Sequence, residues 1–128
     1  MEIIEEPVNT IETNINKKSR MADPRTLKVR GGDPHDADES RRPTDPVGLS
    51  RSILHVLKDY EYVRVLSVGP TALNSVMTAF RLASRDIEGL TNGSVLVLRQ
   101  SEYSAEIAGK KAKGICTRIF AIDIKFAL

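Results

Sequence analysis

The sequence predicts an α+β fold, a two-layer sandwich of order βαβαββ with a mixed four-stranded sheet and both helices on one face. Three observations predict it. Short apolar runs at Thr26–Arg30, Val63–Val68 and Ser94–Arg99 are separated by stretches with helical spacing. Each helical stretch opens at a proline, Pro46 after Asp45 and Pro70 after Gly69. The end of the chain alternates, with Phe120, Ile122, Ile124, Phe126 and Leu128 between Ala121, Asp123, Lys125 and Ala127. Period two places one set on a core and the other toward solvent, and the larger residues are expected on the core.

Each element has a local cause. Thr26–Arg30 is a short strand stopped by Gly31-Gly32. Residues 33–44 hold no apolar side chain larger than Ala37 and read as an exposed loop. Asp45 is a helix N-cap and Pro46 fits the first helical position. Leu49, Ile53, Val56 and Leu57 then line one face of a helix over 46–59. Val63–Val68 is apolar on both sides, as an inner strand requires. A second helix runs from Pro70 or Thr71 to about Ile87, and Asn92-Gly93 signals a turn. The polar stretch SEYSAEIAGKKAKG after the third strand reads as the exposed, flexible arm of a long hairpin. Two β-α-β crossovers of one hand put both helices on the same face and leave the other sheet face partly open.

Composition narrows the function classes. With 128 residues the chain supports one domain, expected over 26–128, with a flexible extension over 1–25. One cysteine excludes an internal disulfide framework and suits a reducing compartment. No apolar run reaches the roughly 20 residues of a membrane span, and the acidic start, broken by Pro7, is no secretory signal. A cytoplasmic or nucleoid-associated protein is expected. Lys and Arg number 19 against 17 Asp and Glu, so the net charge of +2 announces no polyanion binder by itself. The charges are segregated, however. Asp33, Asp36, Asp38 and Glu39 crowd one loop, and the last 30 residues are locally basic.

The second helix is apolar around much of its circumference. Leu73, Met77, Phe80 and Ile87 form one stripe, and Ala72, Val76, Ala79 and Ala83 form a second of small residues. Cover on two sides can come from the first helix or from a two-fold partner. Small residues allow close backbone approach, which favours a homodimer with Ala72, Val76, Ala79 and Ala83 at its interface. In the N-terminal extension, Ile4, Val8, Ile11 and Ile15 recur at helical spacing. They fit a mobile tail or a segment within residues 1–20 that orders on a protein partner.

Gly69-Pro70-Thr71-Ala72-Leu73-Asn74, a strand-ending glycine leading into an Ala-rich helix, resembles the stage V sporulation protein S family of the Alba-like superfamily. The similarity continues through Leu27-Lys28-Val29, the opening of the 45–57 helix and the turn and strand over 92–98, and so covers about residues 26–128. The chain departs from that pattern at Pro70, Thr71 and Thr78. Its long basic arm looks more like Alba proper, whose basic loop doublet has its nearest equivalent in Arg41-Arg42. The resemblance implies a βαβαββ fold, dimers formed through the helical layer, and binding of DNA or RNA.

The candidate contacts are few. Lys110, Lys111 and Lys113, between Gly109 and Gly114, suit a phosphate backbone without reading bases. Arg41, Arg42 and Arg51, before and within the first helix, are secondary candidates, although Arg42 is equally placed to pair with the acidic run. That run, DPHDADE, carries metal-ligand chemistry without EF-hand spacing and reads as a solvated loop. The 69–71 turn lacks an amide at Pro70 and is a poor anion site. Cys116 reads as a small apolar residue, and His55 has no nucleophile beside it in a known motif. Tyr60, Tyr62 and Tyr103 could stack on bases, but without Trp and with few aromatics the sheet does not resemble the platform of an RNA-recognition domain. No cofactor, metal or catalytic constellation appears, so a non-enzymatic nucleic-acid binder is expected, acting through backbone electrostatics as a homodimer. The alternative is a protein-assembly module that dimerises through its helices and docks a partner through its tail.

Overall fold

The computed structural model describes residues 23–90 and 93–123. The order is β1 (Thr26–Val29), a 3-10 turn (Glu39–Arg41), α1 (Pro46–Asp59), β2 (Tyr62–Ser67), α2 (Pro70–Leu90), β3 (Ser94–Ile107) and β4 (Lys110–Asp123). The four strands form one mixed sheet in the order β1-β2-β4-β3, with β1 parallel to β2 and the β2–β4 and β4–β3 pairs antiparallel. The chain is therefore the α+β sandwich its sequence predicts, with the helices layered on one sheet face. The tail stripe Ile4–Ile15 and the partner docking expected of it lie outside the described residues, as do Ile124, Phe126 and Leu128.

Local chemistry starts α1 as anticipated. The Asp45 carboxylate accepts hydrogen bonds from the backbone amides of Val47 (3.3 Å) and Gly48 (3.2 Å), and Pro46 occupies the first turn. Leu49, Ile53 and Val56 are buried on the sheet side, as their spacing requires.

The core differs from expectation in two ways. Ala72, Val76, Ala79 and Ala83 are fully buried within the single chain, in one cluster with Ile53, Val63, Val65 and Ile119. Their assignment to a dimer interface is thereby corrected. Small side chains let α2 lie close against α1 and the sheet, so this stripe is interior surface of the protomer.

The facing of β4 is the second correction. Ile119 and Thr117 have no exposed surface and point toward the helices. Phe120 and Ile122, expected on that core, belong to the opposite face. Register settles the matter: Ile119 pairs with Val63 and Thr117 with Val65, whereas Phe120 pairs with the half-buried Tyr62. Period two cannot say which face the helices cover; the partner strand decides it.

A further difference concerns the arm. The SEYSAEIAGKKAKG stretch continues both strands as a ladder from Ser101 opposite Cys116 to Ile107 opposite Lys110. It closes at Ala108 (φ 53°) and Gly109 (φ 80°). Positive φ at both loop residues belongs to the two-residue turn whose twist matches a hairpin, and Gly109 takes that conformation without strain. The arm is thus hydrogen-bonded to its tip instead of being a loose connection.

Candidate nucleic-acid interface

At the hairpin tip all three candidate lysines are exposed. Lys111 stands opposite Glu106 and Lys113 opposite Ser104, on one face of the ribbon. Lys110, opposite Ile107, belongs to the other face. Lys113 Nζ is 4.0 Å from Glu102 Oε1 with both side chains largely in water, an ion pair of little energetic weight. Lys110 and Lys111 make no ion pair among the described residues. The arm therefore presents ammonium groups on both faces of an ordered ribbon.

Beneath the arm lies a groove of about 420 Å³. Lys28, Arg30 and Leu66 form one wall, and Tyr103, Glu106 and Ile107 of the arm form the other. Tyr103 is seated on Gly114, its cross-strand partner. A bare backbone at that position is what leaves room for the ring.

The secondary candidates are engaged differently. Arg41 Nε is 3.7 Å from Asp38, and Arg42 Nη1 is 3.6 Å from Glu39. Arg42 Nε also donates to the carbonyl of Asp36 at 2.7 Å. Both arginines face the acidic loop, so a phosphate there has to compete with carboxylates. Arg51 is exposed on α1.

The acidic residues of that loop fold it. Asp33, Asp36 and Asp38 each accept a bond from the backbone amide two residues on, at His35, Asp38 and Ser40. The hydroxyl and amide of Ser40 hold the Asp38 carboxyl below its ordinary pKa. Among the described residues no group of three or more His, Cys, Asp and Glu is arranged to hold a metal ion. The 69–71 turn is a helix start, in which the Gly69 carbonyl accepts from the Leu73 amide.

The sheet face away from the helices holds a constellation that the sequence reading did not assemble. Arg64 of β2 is directly opposite Arg118 of β4, and Arg118 is directly opposite Arg99 of β3. Three guanidinium side chains thus cross three adjacent strands in one row. Thr26 continues the row on β1, and Lys28 stands one pleat further along the same face.

Aromatic rings stand beside this row. Tyr62 lies 5.9 Å from the Phe120 ring. The Arg118 guanidinium carbon is 5.6 Å from the Tyr62 centroid, and that of Arg25 is 5.2 Å from it and 5.9 Å from Tyr60. These are cation–π distances.

One carboxylate organises the edge. Asp23 Oδ2 accepts from Arg64 Nη2 at 2.9 Å, and its Oδ1 lies 3.3 Å from Arg25 Nε. Arg64 is also tied to the Thr26 hydroxyl. Burial by itself would raise the Asp23 pKa. Hydrogen bonds from Arg25 and the charges of Arg25 and Arg64 outweigh it and hold the carboxyl below its ordinary value. Arg118 and Arg99 make no ion pair among the described residues. Cys116 is buried in the next pleat, and that burial pushes its thiol pKa up against the lowering effect of Arg118 and Arg64.

A usable signal for this row existed in the sequence. Arg64, Arg99 and Arg118 each interrupt an apolar strand at an alternate position, but only register places them side by side.

No helix of the described residues is long and apolar enough to cross a membrane. In comparison with known proteins, the chain matches no protein-family model and no curated sequence.

Proposed function

We propose that this protein binds nucleic acid, RNA or DNA, chiefly through its phosphate backbone, and does so as a homodimer without enzymatic activity. The observation that carries the reading is the exposed basic tip of the β3–β4 arm, where Lys110, Lys111 and Lys113 stand on an ordered ribbon. An ordered arm loses less conformational freedom on binding than a loose one, and ammonium groups on both of its faces suit a rounded polyanion. The resemblance to the stage V sporulation protein S and Alba-like proteins supports the same function. A cytoplasmic or nucleoid-associated setting goes with it. With Ala72, Val76, Ala79 and Ala83 interior, the apolar surface that α2 still offers a second subunit comes from the half-buried Leu73, Met77, Phe80 and Leu82.

The test is an electrophoretic shift on duplex DNA and duplex RNA across salt, comparing the protein with its Lys110→Gln, Lys111→Gln, Lys113→Gln triple variant. Each lysine that meets a phosphate should contribute about 0.9 to the log–log salt slope on duplex DNA. The triple variant should bind more weakly and with a shallower slope. Unchanged affinity and slope would remove the arm from the mechanism.

A further inference from the structure

We propose that the helix-free sheet face is a platform for single-stranded nucleic acid, with Arg118 and Arg99 on the phosphates and the rings of Tyr62 and Tyr103 stacking unpaired bases. This rests on the nucleic-acid reading above and adds to it a substrate class and a second surface.

The arrangement of charge carries the argument. Like charges directly opposite one another on neighbouring strands destabilise a sheet. This sheet has two such pairs in succession, Arg64 with Arg118 and Arg118 with Arg99. Asp23 relieves one end by pairing with Arg64, and Tyr62 takes up part of the Arg118 charge. Arg99, exposed at the other end, has no such relief among the described residues. Arg64 serves the fold through Asp23 and Thr26, but setting Arg99 directly opposite Arg118 gives folding no ion pair among the described residues. A polyanion laid along the row would turn mutual repulsion into shared attraction.

The occupant follows from what stands beside the charges. Neighbouring strands are about 4.8 Å apart, so flexible arginines on adjacent strands can reach one extended backbone. Tyr62 and Tyr103 belong to the same face, with Phe120 against Tyr62. Unpaired bases stack on such rings, at about 1–3 kcal/mol per base, whereas paired bases stay inside a duplex. An acidic peptide would satisfy the arginines but offer no flat partner to the rings of Tyr103 and Tyr62, the latter with Arg25 and Arg118 already beside it. The groove under the arm, lined by Lys28 and Arg30 with Glu106 across from them, adjoins this track beside Tyr103.

The chain has no tryptophan and three tyrosines, of which Tyr62 and Tyr103 stand on this face, so tyrosine emission reports on it. The experiment titrates the full-length protein with 12-nucleotide oligo-U, oligo-dT, a duplex of the same length, and poly-L-glutamate, following emission and affinity together. Single strands should quench the emission saturably; the duplex and polyglutamate should not. Arg99→Gln, an exposed change, should weaken single-strand binding fivefold or more and duplex binding less than twofold. Tyr62→Phe should retain single-strand affinity, and Tyr62→Leu should lose fivefold or more. Thermal melts of the Arg99 variant should show no loss of stability, because repulsion is removed.

Single-strand binding with unchanged emission and no response to Arg99→Gln would overturn the platform and leave the nucleic-acid function standing. Polyglutamate binding as tightly, with equal dependence on Arg99, would replace bases by an acidic protein. Failure of both single strand and duplex to bind would overturn the platform and the nucleic-acid reading together.

Discussion

Tyr103 covers the bare backbone of Gly114 across the β3–β4 ladder, and the space between them leaves no room for a side chain. A Cβ added at Gly114 would run into the edge of the Tyr103 ring and stand 2.9 Å from the carbonyl oxygen of Ser67. Gly114 thus stands at the root of the arm against both Tyr103 and the end of β2.

Gly114→Ala should therefore destabilise the protein by about 1–3 kcal/mol, the usual cost of overpacking. Urea unfolding measures it. Adding Tyr103→Leu should recover only part of the loss, because the Ser67 carbonyl, fixed in β2, still meets the new methyl. Full recovery would mean that the carbonyl contact is inconsequential.

Asp23 makes stability depend on acid. Its folded pKa lies below the unfolded one, held there by Arg25 and Arg64. Its contribution is therefore complete above the ordinary aspartate range near about pH 4 and is lost as pH falls through the lower folded value. In Asp23→Asn this group no longer titrates, so the variant should be less stable than the parent at neutral pH. The gap should narrow as pH drops below about 4. Thermal melts at several pH values read this directly, and a gap independent of pH would contradict it.

The small-residue stripe of α2 is interior, and this is testable without nucleic acid. Ala79 has no exposed surface and belongs to the core cluster, so Ala79→Leu should overpack the core and cost about 1–3 kcal/mol. The loss should be the same at low and high protein concentration, since it arises within one chain. A loss that grows on dilution would return the stripe to an interface between subunits.

Much of the fold was legible before any coordinates. Asp45-Pro46 marked the start of α1 because its chemistry is local: one carboxylate, two free amides and a proline where no amide is needed. The glycines and prolines that separate the elements act within a few residues, and so does the spacing of Leu49, Ile53 and Val56. Element order and fold class follow from such signals. The three arm lysines were also legible as an exposed basic cluster, because exposure follows from their polar surroundings.

Which face is which was decided only by the tertiary structure. Period two in β4 says that Ile119 and Phe120 point to opposite sides; Val63 and Tyr62 across the strand say which side the helices cover. The same holds for α2, whose small stripe fits a partner helix or its own α1 equally well until packing chooses. Arg64, Arg99 and Arg118 are far apart in the chain, and a sequence carries no record of register between distant strands. Local chemistry therefore determined the elements of this protein, and long-range pairing determined the surface on which its charges meet.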